Sequence, residues 1–289
     1  MALRVSLYST AGQFMDAAGC MLYASESVNN LILGVSERLV REPNAYQNPF
    51  FGVVEDDDGC VILAAVMTPP HNLILGGIED FEPAVSTLVA HFQEHPIAIP
   101  GVIGPKRIAA QFVKVWLQKR KQAARISMRQ KVYECRSVHL PLMPSGRFRL
   151  AVSTDAPVIG EYVAVFELEA LGRSGEIDPD RATRLVEEGK VFVWEHEGVL
   201  VSMATRNRPL AHSITVSGVY TPPAHRRKGY ATALVARLSQ YLLDSGYQFV
   251  NLFTDLANPI SNSIYQKIGY CPVCDFIMYT FVQGEASKG

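Results

Sequence analysis

Apolar and polar positions in the second half of the chain alternate between two periods, and the changes of period mark out elements. Residues 149–152 begin as a strand. Residues 155–171 and 177–188 carry helical spacing, with Asp155 before Ala156-Pro157 as a cap for the first. Residues 190–205 read as a hairpin, two β-rich runs around Glu197-Gly198. A strand follows at 213–220 and stops at Pro222-Pro223. Residues 230–245 place Leu234, Leu238, Tyr241 and Leu242 at core spacing, and Gly246 supplies a stop. A short strand at 249–254, a helix that opens at Asn258-Pro259 and closes at Gly269, and a last strand at 275–281 complete the series.

The first half repeats this order in fainter form. It shows a hairpin at 50–66, a helix at 81–92, a strand at 98–103, a helix at 108–119 and a closing strand at 131–135. The two hairpins are offset by about 139 residues, and the run Leu140-Pro-Leu-Met-Pro-Ser-Gly146 between the halves has the prolines, serine and glycine of a connector. The pattern predicts two tandem copies of one α/β unit, a mixed α+β sheet in each, with domains at 1–140 and 147–289. The length of 289 residues suits two domains at roughly 100–200 residues each.

Composition narrows the function classes. With 48% apolar and 19% charged residues the chain has too much hydrophobic material for a disordered one. Lys plus Arg is 27 and Asp plus Glu is 28, a balance that disfavours a dedicated nucleic-acid binder. The local exception, residues 106–136, has ten basic residues and one acid, Glu134, and reads as a solvated face. No apolar stretch approaches the ~20 residues of a membrane helix. The amino terminus lacks a signal peptide's apolar region, and five cysteines, an odd count, fit a reducing compartment, so the expected location is the cytoplasm. Cys271-Pro-Val-Cys274 has no second pair, so it reads as structural and no metal site is expected.

One segment carries chemistry. The strand ending at Val219, Tyr220 and Thr221 runs into a basic turn, Arg226, Arg227, Lys228 and Gly229, and a helix opens with Tyr230, Ala231 and Thr232. Amides at a helix start lack internal partners and carry the positive end of the dipole, so they form an anion cradle. Gly229 and Ala231 keep that cradle free of bulk, and a pyrophosphate is its natural guest. The turn lacks the Gly-Lys-Ser/Thr ending of a P-loop and the three glycines of a dinucleotide fingerprint. A second element follows the next strand, where Asn258 and Ser261 stand at a helix start and Tyr265 lies between Ile264 and Ile268. Taken alone, Tyr265 reads as a core residue.

Both elements, in this order and spacing, closely resemble the GNAT N-acetyltransferase superfamily over residues 149–281. The run 226–231 is similar to its acyl-CoA pyrophosphate loop, Gln/Arg-x-x-Gly-x-Gly/Ala. The run 258–270 is similar to its later motif of Asn, Ser and Tyr-x-x-x-Gly-Phe/Tyr. The first half resembles the fold only in element order. Its corresponding segment, 73–81, has no basic cradle and carries Glu79 and Asp80 instead, so CoA binding there is expected to be lost. The resemblance implies an acetyl-CoA-dependent N-acetyltransferase acting on a small-molecule or peptide amine, as monomer or homodimer, without nucleic-acid or membrane partners. It implies that Val219, Tyr220 and Thr221 hold the pantetheine and thioester carbonyl through the backbone, and that the amides of Arg227 to Thr232 hold the pyrophosphate. It also implies that Asn258 contacts the cofactor and that Tyr265 acts as general acid toward the departing thiolate. The family's base is often a Glu near the fourth strand, and Ile214-Thr-Val-Ser-Gly218 offers none. Glu167, Glu169, Glu195 and His212 are candidates without positional support, and a water relay is an alternative. A non-catalytic acyl-CoA-binding sensor on the same fold is the competing reading; a nucleic-acid interaction protein is third.

Overall fold

The structure is a computed structural model that describes residues 2–77, 82–118, 120–172, 176–257 and 259–283. The chain forms two compact units. Unit 1 comprises residues 1–132, 254–257 and 272–289; unit 2 comprises 133–253 and 258–271.

In unit 1, β1 (Arg4–Leu7), β2 (Phe50–Glu55), β3 (Val61–Met67) and β4 (Leu73–Gly77) form an antiparallel meander. β4 runs parallel to β5 (Gly101–Pro105). Helices α1 (Ala11–Tyr23) and α2 (Glu26–Arg41) precede the hairpin, and Thr10 caps α1 by accepting from the Gln13 amide at 3.2 Å. Helices α3 (Glu82–Glu94) and α4 (Lys106–Leu117) bury Phe92, Phe112 and Trp116. β6 (Gln122–Cys135) alternates partly buried and exposed side chains over 122–130, with Arg125 and Arg129 on its exposed face, so much of the basic stretch is a solvated strand.

In unit 2, β7 (Arg147–Leu150), β8 (Val191–His196), β9 (Val199–Asn207) and β10 (Ser213–Tyr220) form a second meander. β10 runs parallel to β11 (Phe249–Asp255). One face packs on α5 (Ala156–Leu171) and α6 (Pro179–Glu187) through Ile159, Val186, Val193 and Met203. The other packs on α7 (Tyr230–Asp244), where Leu234, Leu238 and Leu242 are fully buried as the helical spacing predicts. Tyr241 departs from it: its side chain is exposed. Helix α8 (Pro259–Ile268) adds Ile264, Tyr265 and Ile268 to the same cluster.

The last strand, β12 (Cys271–Gln283), pairs antiparallel with β5, Tyr279 opposite Val102, and Phe281 stacks on Trp116 at 5.6 Å. Residues 272–283 of the second copy thus complete unit 1. The last residues of the first copy, Tyr133 and Cys135, sit in the core of unit 2 beside Val250 and Leu252. The copies at 1–140 and 147–289 and the two compact units are therefore different divisions of the chain, because the first copy's residues from 133 on belong to unit 2 while residues 254–257 and 272–283 of the second belong to unit 1.

Two local expectations are corrected. Asp155 makes no side-chain cap on α5. It accepts instead from Arg149 at 2.6 and 3.1 Å and from the Val152 amide at 2.8 Å, since a guanidinium fork offers a stronger, bidentate partner. Arg149 also reaches Glu195 at 2.6 Å, and these bonds hold both carboxyls below the usual carboxylate range. Within 73–81, residues Leu73–Gly77 are strand rather than loop, and 78–81 lie outside the described residues.

Candidate acyl-CoA site

A bulge in β10 opens the site. The register with β9 shifts between Ser217 and Tyr220, so Gly218 and Val219 stand opposite the single residue Ala204. Gly218 takes φ +58, the left-handed region that glycine adopts without a Cβ penalty. On the other side, the parallel register with β11 ends at Val216 opposite Leu252. Residues 217–220 therefore leave the ladder on that side, and their backbone faces a gap between the two parallel strands.

The bonding of the three predicted backbone positions differs. Ser202 Oγ donates to the Tyr220 carbonyl at 3.1 Å, and Arg226 Nε donates to the Thr221 carbonyl at 2.9 Å. Val219, in the bulge, carries no such anchor among the described residues. The Tyr220 ring is buried in the α5 face, 5.3 Å from the Tyr162 ring.

The basic turn follows. Pro223–His225 form one 3-10 turn, Arg227 takes φ +63 and Gly229 φ +83, and α7 begins at Tyr230. The Arg226 amide is bonded to the Pro223 carbonyl, and the next bonded amide is Ala233, on Gly229. Among the described residues, the six consecutive amides of Arg227, Lys228, Gly229, Tyr230, Ala231 and Thr232 have no acceptor. Four, from Gly229 to Thr232, are the ordinary orphans of a helix start; the turn before it adds Arg227 and Lys228. Such alternating conformations turn successive N–H groups into one concavity, a geometry suited to anionic oxygens. A Cβ built on Gly229 meets nothing within 4 Å, so the turn is open to solvent.

The side chains of the turn divide. Arg227 and Lys228 are exposed. Arg226 is turned aside to Glu169 Oε2 at 2.7 Å, so it does not add a free charge to the cradle as the sequence suggested. The Tyr230 ring is buried against His196 at 5.7 Å, which leaves only its amide on the loop.

Tyr265 packs half-buried against the cluster that also holds Tyr230 and is bordered by Val219, with its ring 5.9 Å from that of Tyr270. Burial pushes its pKa up to about 12. Its hydroxyl makes no hydrogen bond to a described residue, whereas Tyr270 is tied to Ser239 at 2.6 Å. Asn258 lies outside the described residues, and Ser261 falls within α8.

Each carboxylate considered as a base is already engaged: Glu167 with Arg181 at 2.8 Å, Glu169 with Arg226, and Glu195 with Arg147 and Arg149. The His212 carbonyl accepts from Gln248. The sequence reading missed a polar cluster at the last rung before the bulge. Thr205 Oγ1 and Ser217 Oγ lie 3.0 Å apart, and Asn207 Nδ2 donates to them at 2.9 and 2.6 Å respectively. Its signal was present as polar residues alternating along adjacent strands, at 213, 215 and 217 and at 205 and 207.

Comparison with known proteins agrees with this geometry. The acetyltransferase (GNAT) family profile matches residues 162–270, which contain the bulge, the loop and Tyr265. No curated protein matches the chain in sequence. Among solved structures, a Drosophila protein is similar with a TM-score of 0.69 at 12% identity, covering 98% of this chain and 100% of its own. A GNAT-family acetyltransferase from Colwellia psychrerythraea is similar at 0.60 and 10% identity, covering 96% and 98%. A tandem GNAT protein from the clavulanic acid biosynthesis pathway is similar at 0.56 and 13% identity, covering 99% and 100%. The family match thus covers residues 162–270, and over the whole chain the fold is that of these GNAT structures, two GNAT-like domains of mixed α/β sheet.

Proposed function

We propose that the protein is an acetyl-CoA-dependent N-acetyltransferase whose one active site is in unit 2. The run of six unbonded amides at the head of α7 carries this reading, since it offers a pyrophosphate a ready-made set of donors beside a gap for the pantetheine. In this reading the amides from Arg227 to Thr232 hold the pyrophosphate and Val219 holds the thioester arm, with Tyr220 and Thr221 as its anchored frame. Asn258 and Ser261 contribute at the start of α8. The amine lone pair attacks the thioester carbonyl, the C–S bond breaks, and the proton lost by the amine balances the one gained by the thiolate.

The first domain is proposed to have no such site. Its α3 opens on Glu82-Pro83, which brings a carboxylate to the first turn and removes one donor.

Magnitudes bear on the base. A lysine-like amine of pKa ~10.4 must lose a proton at a cost of roughly 4.6 kcal/mol at pH 7, an α-amine near 8 only about 1.4. With Glu167, Glu169 and Glu195 in ion pairs, an amine of low pKa is favoured, and Ser217, Thr205 and Asn207 offer neutral groups to pass its proton to water. Among the described residues no helix is long and apolar enough to cross a membrane. We place it in the cytoplasm. The test is thiol release from acetyl-CoA across a panel of α-amines, lysine-like amines and amino sugars. Acyl transfer to at least one class is expected. Tight acetyl-CoA binding with no release across the panel favours the sensor.

A further inference from the structure

An unpaired arginine lies on the α5 face of unit 2. β9 ends at Asn207, and Arg208 takes φ +49 immediately before Pro209. A left-handed conformation is unfavourable for a residue with a Cβ, and a following proline pushes its predecessor toward extended backbone. Such a backbone persists only where the surrounding structure holds it.

The guanidinium carbon lies 5.4 Å from the centre of the Phe253 ring on β11. β9 and β11 flank β10, so the side chain spans β10 to get there. Phe253 directly follows Leu252, which pairs with Val216, so it stands at the rung of Ser217. The Arg208 guanidinium therefore reaches the side chain of the residue one step past the Leu252–Val216 rung, where the parallel ladder of β10 and β11 ends.

No hydrogen bond or ion pair reaches Arg208 from a described residue, and its Nε is fully buried without an acceptor. Desolvation alone acts on it and lowers its pKa to about 10, so it stays charged at neutral pH. Arg208 as a whole is half-buried, and a charge partly withdrawn from water is normally paired, because an uncompensated one is costly. Thr215 Oγ1 and Asn251 Oδ1, paired across one rung of β10 and β11, are neutral and are also buried without partners. Arg206, the other cation at this end of β9, is turned to the Gly189 carbonyl at 3.0 Å.

We propose that Arg208 is the counter-charge for a carboxylate on the acceptor, which is thus an amino acid or another amine bearing a carboxylate. This rests on the transferase reading above and names its substrate class. One cation neutralises one carboxylate, whereas a phosphate dianion would leave a buried negative charge. The flat guanidinium fork also matches two carboxylate oxygens, and stacking on Phe253 holds it in plane. An α-amino acid meets the further condition that its amine has a low pKa.

The test is calorimetry with the full chain in the presence of CoA. The probes are N-acetyl amino acids with small, aromatic, acidic and basic side chains, each paired with its primary amide. At least one acid is expected to bind wild type tenfold or more tightly than its amide. Arg208→Gln brings that acid to the amide's affinity, Arg208→Lys retains part of the difference, and acetyl-CoA affinity stays within twofold in both. Equal binding of every pair, no binding of any acid, or an advantage that survives Arg208→Gln overturns the proposal. Thiol release is measured separately. Release with neutral amines but no acid preference defeats the carboxylate site and leaves the transferase; acid preference without release does the reverse.

Discussion

Gly229→Glu abolishes acetyl-CoA binding, with affinity reduced at least a hundredfold, while the protein stays folded. Gly229 sits at φ +83 with open space where a Cβ would be, so a side chain there meets solvent and not core. A left-handed residue costs roughly 1–2 kcal/mol when it carries a Cβ. A carboxylate at the head of α7 is favourable to the helix itself, which offsets part of that strain. For the ligand the same carboxylate is a competitor. It occupies the amides of residues 227–232 and repels a pyrophosphate by about 4 kcal/mol at 4 Å and an effective dielectric of 20, on the order of a thousandfold. Gly229→Asn is the control, because asparagine tolerates the left-handed region and brings no charge. It is expected to lose tenfold or less. Titration calorimetry with both variants separates strain from charge; equal losses would remove the cradle from the account.

Tyr265→Phe lowers kcat by roughly tenfold to a hundredfold and changes acetyl-CoA affinity less than threefold, as expected for a group that acts on the leaving sulfur. The structure refines its role. With a pKa of about 12 the phenol is protonated throughout the neutral range and can donate. A thiol has a pKa near 8.5, so complete transfer from the phenol would be uphill by about 3.5 units, roughly 4.8 kcal/mol. On the proposed mechanism the hydroxyl therefore acts as a hydrogen-bond donor to the developing thiolate, and the proton released by the amine makes up the balance. Because burial raises this pKa, the protonated form is present below it and is lost only as pH rises through about 12. The wild-type pH profile of kcat accordingly shows no alkaline limb from this residue below about pH 11, and Tyr265→Phe lowers the profile without moving its acid limb. Full activity of the variant would exclude the role.

The second domain was the more legible in sequence because its elements are locally specified. The apolar rows of α7, the Glu197-Gly198 turn and Gly218 and Gly229 each declare a conformation within a few residues. In the first 49 residues the pattern is weaker, and within α2 Asn29, Asn30 and Ser36 are buried among the apolar positions and break the amphipathic stripe. Asn29 explains one such burial, accepting from the Gly77 amide of β4 at 3.2 Å and donating to the Leu22 carbonyl at 3.0 Å. The destination of β12 was also hidden, since a strand's pattern states which face is buried and not which partner it takes. At the site, the loop and Tyr265 were visible as motifs. The engagement of Arg226 with Glu169 and the isolation of Arg208 depend on residues 57 and 45 positions away in sequence, and no local spacing reports them.

In the proposed function the backbone amides at the head of α7 form the anion site for the acyl donor. Amide hydrogen exchange, resolved to single residues with and without saturating acetyl-CoA, tests it most directly. The amides of Arg227, Lys228, Gly229, Tyr230, Ala231 and Thr232 have no protein acceptor and exchange freely in the unliganded chain. With acetyl-CoA bound, protection confined to this run and to Val219, with none at the head of α3, is the predicted result. Unchanged exchange across 227–232 under saturating ligand would place the acyl donor elsewhere.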